Sequence, residues 1–218
     1  MIRPFGEAAL LVEVDDSADA QAFAAALRRD AIPGITAVVP GRASVLVELD
    51  ALVADADAIG DALVRIRADP GAVTPRRRTI PVVYGGEHGP DLEEVAAMAG
   101  MSASAVVELH ADTELRVLFG GFAPGFAYLG EVATPLRIPR LATPRARTPA
   151  GAVALADGMS GIYPAELPGG WRVIGRTPVA LFDPDREPPA YLVPGDRVRF
   201  VPIDLASWDS HAGSAADW

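Results

Sequence analysis

The chain has 218 residues, 50% of them hydrophobic and 22% charged, which suits a globular protein with one large core or two small ones rather than a disordered one. Cysteine, lysine and asparagine are all absent and the 19 basic residues are all arginine. This excludes disulfides, thiolate metal sites, Cys nucleophiles, a phosphate loop ending in lysine, a Schiff-base lysine and N-glycosylation. A net charge of -10 argues against nucleic acid or an anionic membrane as a partner of the whole chain. No apolar run reaches membrane-spanning length, and the acid-bearing start MIRPFGEAALLVEV lacks a signal-peptide pattern, so a cytoplasmic protein is expected.

The first third reads as alternating elements. AALLVEV (8–14) has strand character, and Asp16 or Ser17 is placed to cap a helix running to about Arg29, with Phe23 and Leu27 on one face. Arg28 and Arg29 fall in its last turn, where the macrodipole favours cations. ITAVV (35–39) and SVLVEL (44–49) form a hairpin signal around Pro40-Gly41-Arg42. A second helix starts near Asp55 or Asp57 with Ile59, Leu63 and Ile66 on one face, and TIPVVY (79–84) is a further strand. Strand, helix, strand, strand, helix, strand is the ferredoxin-like order. TIPVVY either closes that sheet or opens the next domain, and GAVTPRRR (71–78) before it reads as a linker.

Residues 91–112 are predicted helical, with a capping-box-like start at Asp91 and Glu94, a break at Gly100 and a new cap at Ser102 or Ser104. The pair resembles a helix-turn-helix, but residues 102–112 hold no Arg, Lys, Asn or Gln to read a base edge, so two packed helices are expected. From residue 113 short β-rich runs (ELRVLF, GAVALA, WRVI, VALF, RVRFVP) alternate with Gly/Pro turns, the pattern of a closed β-barrel. After Leu205 the segment SWDSHAGSAADW reads as a flexible tail. The domain reading is therefore 1–76, 77–205 and a tail at 206–218.

Charge is uneven. Residues 113–182 hold 4 acids against 7 arginines, with 10 Gly and 8 Pro, while residues 1–112 hold 18 acids against 9 arginines. Arginine in such a segment suits bidentate binding of carboxylate or phosphate, and a merely basic barrel surface fits as well. The three histidines have neither metal-ligand spacing nor a cysteine partner, so no metal site is expected. His110 ends a helix and reads as a C-terminal cap or a site residue. GGFAPGFAYLG (120–130) brackets Phe122, Phe126 and Tyr128 with glycine and proline, Gly125 among them, as pocket-lining loops do; a loop plugging the barrel end is the alternative. Gly158-Met159-Ser160-Gly161 has the wrong spacing for a serine-hydrolase elbow. Arg140, Arg145 and Arg147 lie in a stretch stiffened by Pro139, Pro144 and Pro149.

IPVVYGGEHGPDL (80–92), His110, GFAPGFAYLG (121–130), PRLATPRARTPAGAVALA (139–156), GIYP (161–164), PGGWRVIGRTP (168–178), LFDP (181–184) and PGDRVRFVPI (194–203) occur in this order. Together they resemble the B subunit of prokaryotic 5-oxoprolinase, a family also known as allophanate hydrolase subunit 1, which includes a sporulation-kinase inhibitor. The resemblance is strong over about residues 80–203 and looser before. It implies an N-terminal α/β domain and a C-terminal cyclophilin-like β-barrel. It also implies a C-type partner subunit with a related barrel, an A-type subunit, and ATP with Mg as co-substrate for opening 5-oxoproline to glutamate, with no tightly bound cofactor. On that reading His110 is the candidate general acid/base. Arg140, Arg145 and Arg176 are candidates for an anionic substrate group, and Phe122, Gly125, Phe126, Tyr163 and Trp171 would wall the pocket. A regulatory module that inhibits a histidine kinase, or an allophanate hydrolase-type subunit, are the alternatives. The family pattern has Gly-Ser-Val where this chain has Gly151-Ala152-Val153, and Gln-Thr where it has Met159-Ser160.

Overall fold

A computed structural model describes residues 1–69 and 75–212. The chain divides into two compact units at Pro75/Arg76. The expected linker at 71–78 and tail at 206–218 fall partly outside the described residues.

In the N-terminal unit, strands β1 (Ile2–Pro4), β2 (Ala9–Glu13), β3 (Ile35–Pro40) and β4 (Ser44–Leu49) form one antiparallel sheet in the order β1-β2-β4-β3. Helix α1 (Ser17–Asp30) starts where the Asp16 carboxylate accepts from the Ala18 and Asp19 amides. Its Ala20, Phe23, Ala24 and Leu27, one helical stripe, pack with Val45 and Val47 of the sheet in one core. Helix α2 (Ala56–Arg65), capped by Asp55, adds Ile59 and Leu63 to the same core. The ferredoxin-like expectation needs a closing strand after α2. The edge beside β2 is taken instead by β1, from the start of the chain, and TIPVVY lies elsewhere.

That strand is β5 (Arg77–Tyr84), the first of the barrel. The remaining elements are α3 (Leu92–Ala99), α4 (Ala103–Asp112), β6 (Leu115–Gly120), β7 (Ala127–Gly130), β8 (Arg145–Thr148), β9 (Ala152–Ala156), β10 (Met159–Ile162), β11 (Leu167–Gly169), β12 (Arg172–Arg176), β13 (Arg197–Pro202) and α5 (Trp208–His211). Seven strands close in the order β10-β7-β6-β13-β5-β12-β9. Every pair is antiparallel except β5 with β13. Alternate residues such as Ile80, Val82, Leu115, Val117, Val198 and Phe200 fill the interior, each at most 1% exposed. Val95 of α3 and Val106 of α4 join that core.

Several expectations need correction. VALF (179–182) is not a barrel strand; its only pairing is a single bridge from Phe182 to Ala190. β8 and β11, which the sequence did not signal, form a separate two-stranded ribbon. Asp91 makes no cap bond to α3, because its carboxylate is engaged elsewhere. The first residues of the expected tail are ordered: a 3-10 turn at Leu205–Ser207 leads into α5, and Trp208 stacks on His88.

Candidate functional site

The wall formed by β9, β10 and β7 has two faces with different chemistry. Successive residues of a strand point to opposite sides, and Ser160 and Gly161 of β10 show it. Ser160 points inward. Its hydroxyl lies 3.0 Å from Nε2 of His110, whose Nδ1 lies 2.8 Å from the Tyr84 hydroxyl. The imidazole stacks on Phe200 at 4.4 Å. His110 and Ser160 are 1% and 0% exposed. Burial pushes the His110 imidazole down to about 3 and raises the Tyr84 phenol. The ring is neutral, one nitrogen donating and the other accepting, and each hydroxyl suits either role. His110 does not cap its helix: Thr113 Oγ1 donates to the Leu109 carbonyl at 2.6 Å instead. Where the family pattern has threonine, Ser160 keeps a hydroxyl, and that hydroxyl serves the interior.

Gly161 points outward, and the aromatic rings close over it. A Cβ there would sit 3.0 Å from Phe126 and 3.1 Å from Trp171. Phe126 is the hub, in edge contact with Tyr128 at 4.9 Å, Phe122 at 5.3 Å, Tyr163 at 5.4 Å and Trp171 at 5.9 Å. These five rings, Arg140 and residues 168–170 at the end of β11 line a cavity of about 110 Å³. Burial raises the phenols of Tyr128 and Tyr163, and the Arg140 charge works against that rise. Nε of Arg140 is committed to Asp157 at 2.6 Å.

Phe122 is the unusual member. It is 58% exposed and sits at φ +70, a region costly for a residue with a Cβ. The Ala123 amide donates to the Gly121 carbonyl at 2.8 Å, closing a three-residue γ-turn of the rarer, strained hand around it. Gly125, at φ +83, lets the loop pass close to Phe182: a Cβ there would lie 2.7 Å from the Phe182 side chain.

The structure thus brings Phe122, Phe126, Arg140, Tyr163 and Trp171 to one cavity, together with Tyr128, which the sequence places in the same pocket-lining loop motif but not among the candidate pocket-wall residues. Arg145 and Arg176 are not among its lining residues. Arg145 Nη2 binds the Asp91 carboxylate at 2.5 Å and its Nη1 donates to the Trp171 carbonyl at 3.4 Å. Asp91, 5% exposed, also accepts from the Val173 amide at 2.6 Å. Arg172 repeats the arrangement beside Trp171, reaching Glu94 at 2.6 Å and donating to the Pro139 carbonyl at 3.0 Å. Two acids one turn apart at the start of α3 therefore fix the segment carrying Trp171. Arg176 donates to the Ala150 carbonyl at 2.7 Å and lies over the Trp208 ring at 5.5 Å. Arg147 pairs with Glu166 at 3.6 Å on the surface. Among the described residues no helix is long and apolar enough to cross a membrane, and no three His, Asp or Glu side chains form a metal-binding group.

The family model for the carboxyltransferase domain, subdomains C and D, matches residues 1–192. The B subunit of 5-oxoprolinase from Escherichia coli O157:H7 is 42% identical over 206 residues, covering 90% of this chain and 93% of that protein. Its counterpart of the same name from Bacillus subtilis is 48% identical over 133 residues, 61% of this chain and 55% of that one. The chain belongs to the family of 5-oxoprolinase B subunits. Among solved structures, TTHA0988 matches with a TM-score of 0.80 and 38% identity over 94% of this chain, which spans 40% of that longer protein. PH0987 from Pyrococcus horikoshii matches with a TM-score of 0.59 and 39% identity over 95% of this chain and 100% of its own. The Kluyveromyces lactis urea amidolyase, at 20% identity and a TM-score of 0.76, covers 96% of this chain and 15% of its own, and shares the fold.

Proposed function

We propose that this chain is the non-autonomous B component of an ATP-dependent 5-oxoprolinase, and that the outer-wall cavity holds the 5-oxoproline ring. The observation that carries this is the cavity itself: five aromatic side chains and one arginine around about 110 Å³, a size and polarity suited to a small ring with one carboxylate. The rings exclude water from the flat lactam, and Arg140 orients the carboxylate through the nitrogens that Asp157 leaves available. ATP, with Mg, is the co-substrate of the complex. Transfer of the ATP γ-phosphoryl group to the lactam oxygen, with ADP released, makes its carbon electrophilic; one water adds there and the ring C–N bond breaks to leave γ-glutamyl phosphate, and a second water displaces phosphate to give glutamate. The sequence has no lysine for a phosphate loop. His110, the candidate general acid/base, is buried inside the barrel at 1% exposure. The phosphoryl-transfer machinery therefore belongs to the A-type and C-type partners. The unpaired rim at Phe122 suits a site completed by the C-type subunit.

The test is 5-oxoproline hydrolysis by this chain and its purified A-type and C-type partners, singly and together. Turnover is expected only from the full mixture, and Arg140→Lys should raise KM roughly tenfold with a smaller change in kcat. Turnover by this chain alone, or an Arg140 variant with unchanged KM, would sink the proposal.

A further inference from the structure

The outer face of β13 carries a row of like charges. Val198 and Phe200 point into the barrel at 0% and 1% exposure, so Arg197, Arg199 and Val201 point out. Arg197 stands directly opposite Arg77 of β5 on one side and Arg116 of β6 on the other. Like charges abreast on neighbouring strands repel. Arg77 and Arg197, with side chains 78% and 40% exposed, share a single carboxylate, Glu114, at 4.0 Å each. Arg199 has no ion pair among the described residues, and Val201 beside it is 39% exposed.

A stripe of the opposite sign lies on α2. Asp57, Asp61 and Val64 are spaced i, i+4, i+7 on its outer face, and all three are exposed, Val64 at 68%. Neither aspartate has an ion pair among the described residues. They border an open groove of about 470 Å³ between α2 and β1, lined also by Gly60, Arg3 and Glu7; Arg3 is paired with Glu13. Residues 1–75 hold 12 acids against 6 arginines.

We propose that two copies of this chain associate by seating the Arg197–Arg199–Val201 face of one on the Asp57–Asp61–Val64 face of the other. The spacing agrees: alternate strand residues lie about 6.6 Å apart, and residues four apart on a helix rise about 6 Å. Charge meets charge and valine meets valine along both stripes. The groove beside α2 gives the long arginine side chains room to reach both carboxylates in bidentate fashion.

The experiment is sedimentation equilibrium of the full chain across micromolar concentrations, at about 0.1 M and about 1 M salt, where the screening length falls from about 10 Å to about 3 Å. At low salt the mass should exceed 22.7 kDa and rise with concentration, and high salt should weaken the association roughly tenfold or more. Arg197→Glu with Arg199→Glu, and separately Asp57→Arg with Asp61→Arg, should each weaken it by a similar factor. The fourfold variant, with both stripes reversed, should restore it. Circular dichroism confirms that each variant is folded, and the salt series on the unmodified protein stands independently of them. A single-chain mass throughout, association insensitive to salt, or reversals without effect would overturn the proposal. So would association that appears only when an A-type or C-type partner is added.

Discussion

The two faces of the β7–β10–β9 wall differ by one residue of register. Inside, Ser160, His110 and Tyr84 form a dry chain with every polar atom engaged; outside, Phe126, Tyr163 and Trp171 hold a small cavity whose rim residue Phe122 is exposed and strained. The inner face has the residue types of catalysis and the environment of a core. The outer face has few titratable groups and the environment of a site. Residue identity alone points to His110; burial and access point to the aromatic cavity.

The largest effect should come from the inner face. His110→Ala leaves a cavity and orphans two buried hydroxyls, so unfolding free energy should fall by about 3–5 kcal/mol in a urea titration. A loss below about 1 kcal/mol would mean that the network is not structural.

Next is the tie behind Trp171. Arg145→Lys removes the planar fork from a partly buried pair in which the Asp91 side chain is 7% exposed. It should cost about 1–3 kcal/mol and lower the melting temperature together with activity. Full stability with lost activity would move Arg145 to the substrate side of the wall.

Acid should separate the faces further. The His110 imidazole has a folded-state value of about 3 against about 6.5 when unfolded. Between those values the unfolded chain binds the proton and the folded chain does not. The stability that neutral His110 allows is thus fully present above about pH 6.5 and falls by about 1.4 kcal/mol per pH unit as pH drops towards about 3. Subtracting the pH profile of His110→Gln from that of the wild type should expose this slope.

The smallest stability effect should be at Phe122→Gly. Releasing a strained φ offsets the lost ring contacts, so stability should stay within about 1 kcal/mol of the wild type. Activity of the reconstituted complex should nevertheless drop at least roughly tenfold. A stability loss above about 2 kcal/mol would make Phe122 a packing residue.

Local signals were readable where one element decides its own fate. The Asp16 cap, the Phe23–Leu27 stripe and the Gly100 break all stand where the sequence pattern puts them. The Gly/Pro-bracketed aromatics mark an irregular stretch, and residues 121–126 form the loop between β6 and β7. What was not readable depends on partners far along the chain. Whether TIPVVY or the first residues complete the N-terminal sheet is settled by edge pairing, which periodicity does not encode. Asp91 carries the sequence signature of a cap, yet a guanidinium 54 residues away claims it. His110 looked like a helix end because its two hydroxyl partners lie on strands 26 residues before it and 50 after.

The parallel pairing of β5 with β13 has a consequence for synthesis. β13 sits between β5 and β6, strands that leave the ribosome some 80 to 120 residues earlier. Until residues 197–202 emerge, the barrel is an open sheet with two unpaired edges and its apolar lining accessible. The last strand is the keystone, and a nascent chain stalled just short of Arg197 should be the form most avidly held by chaperones and most prone to aggregate.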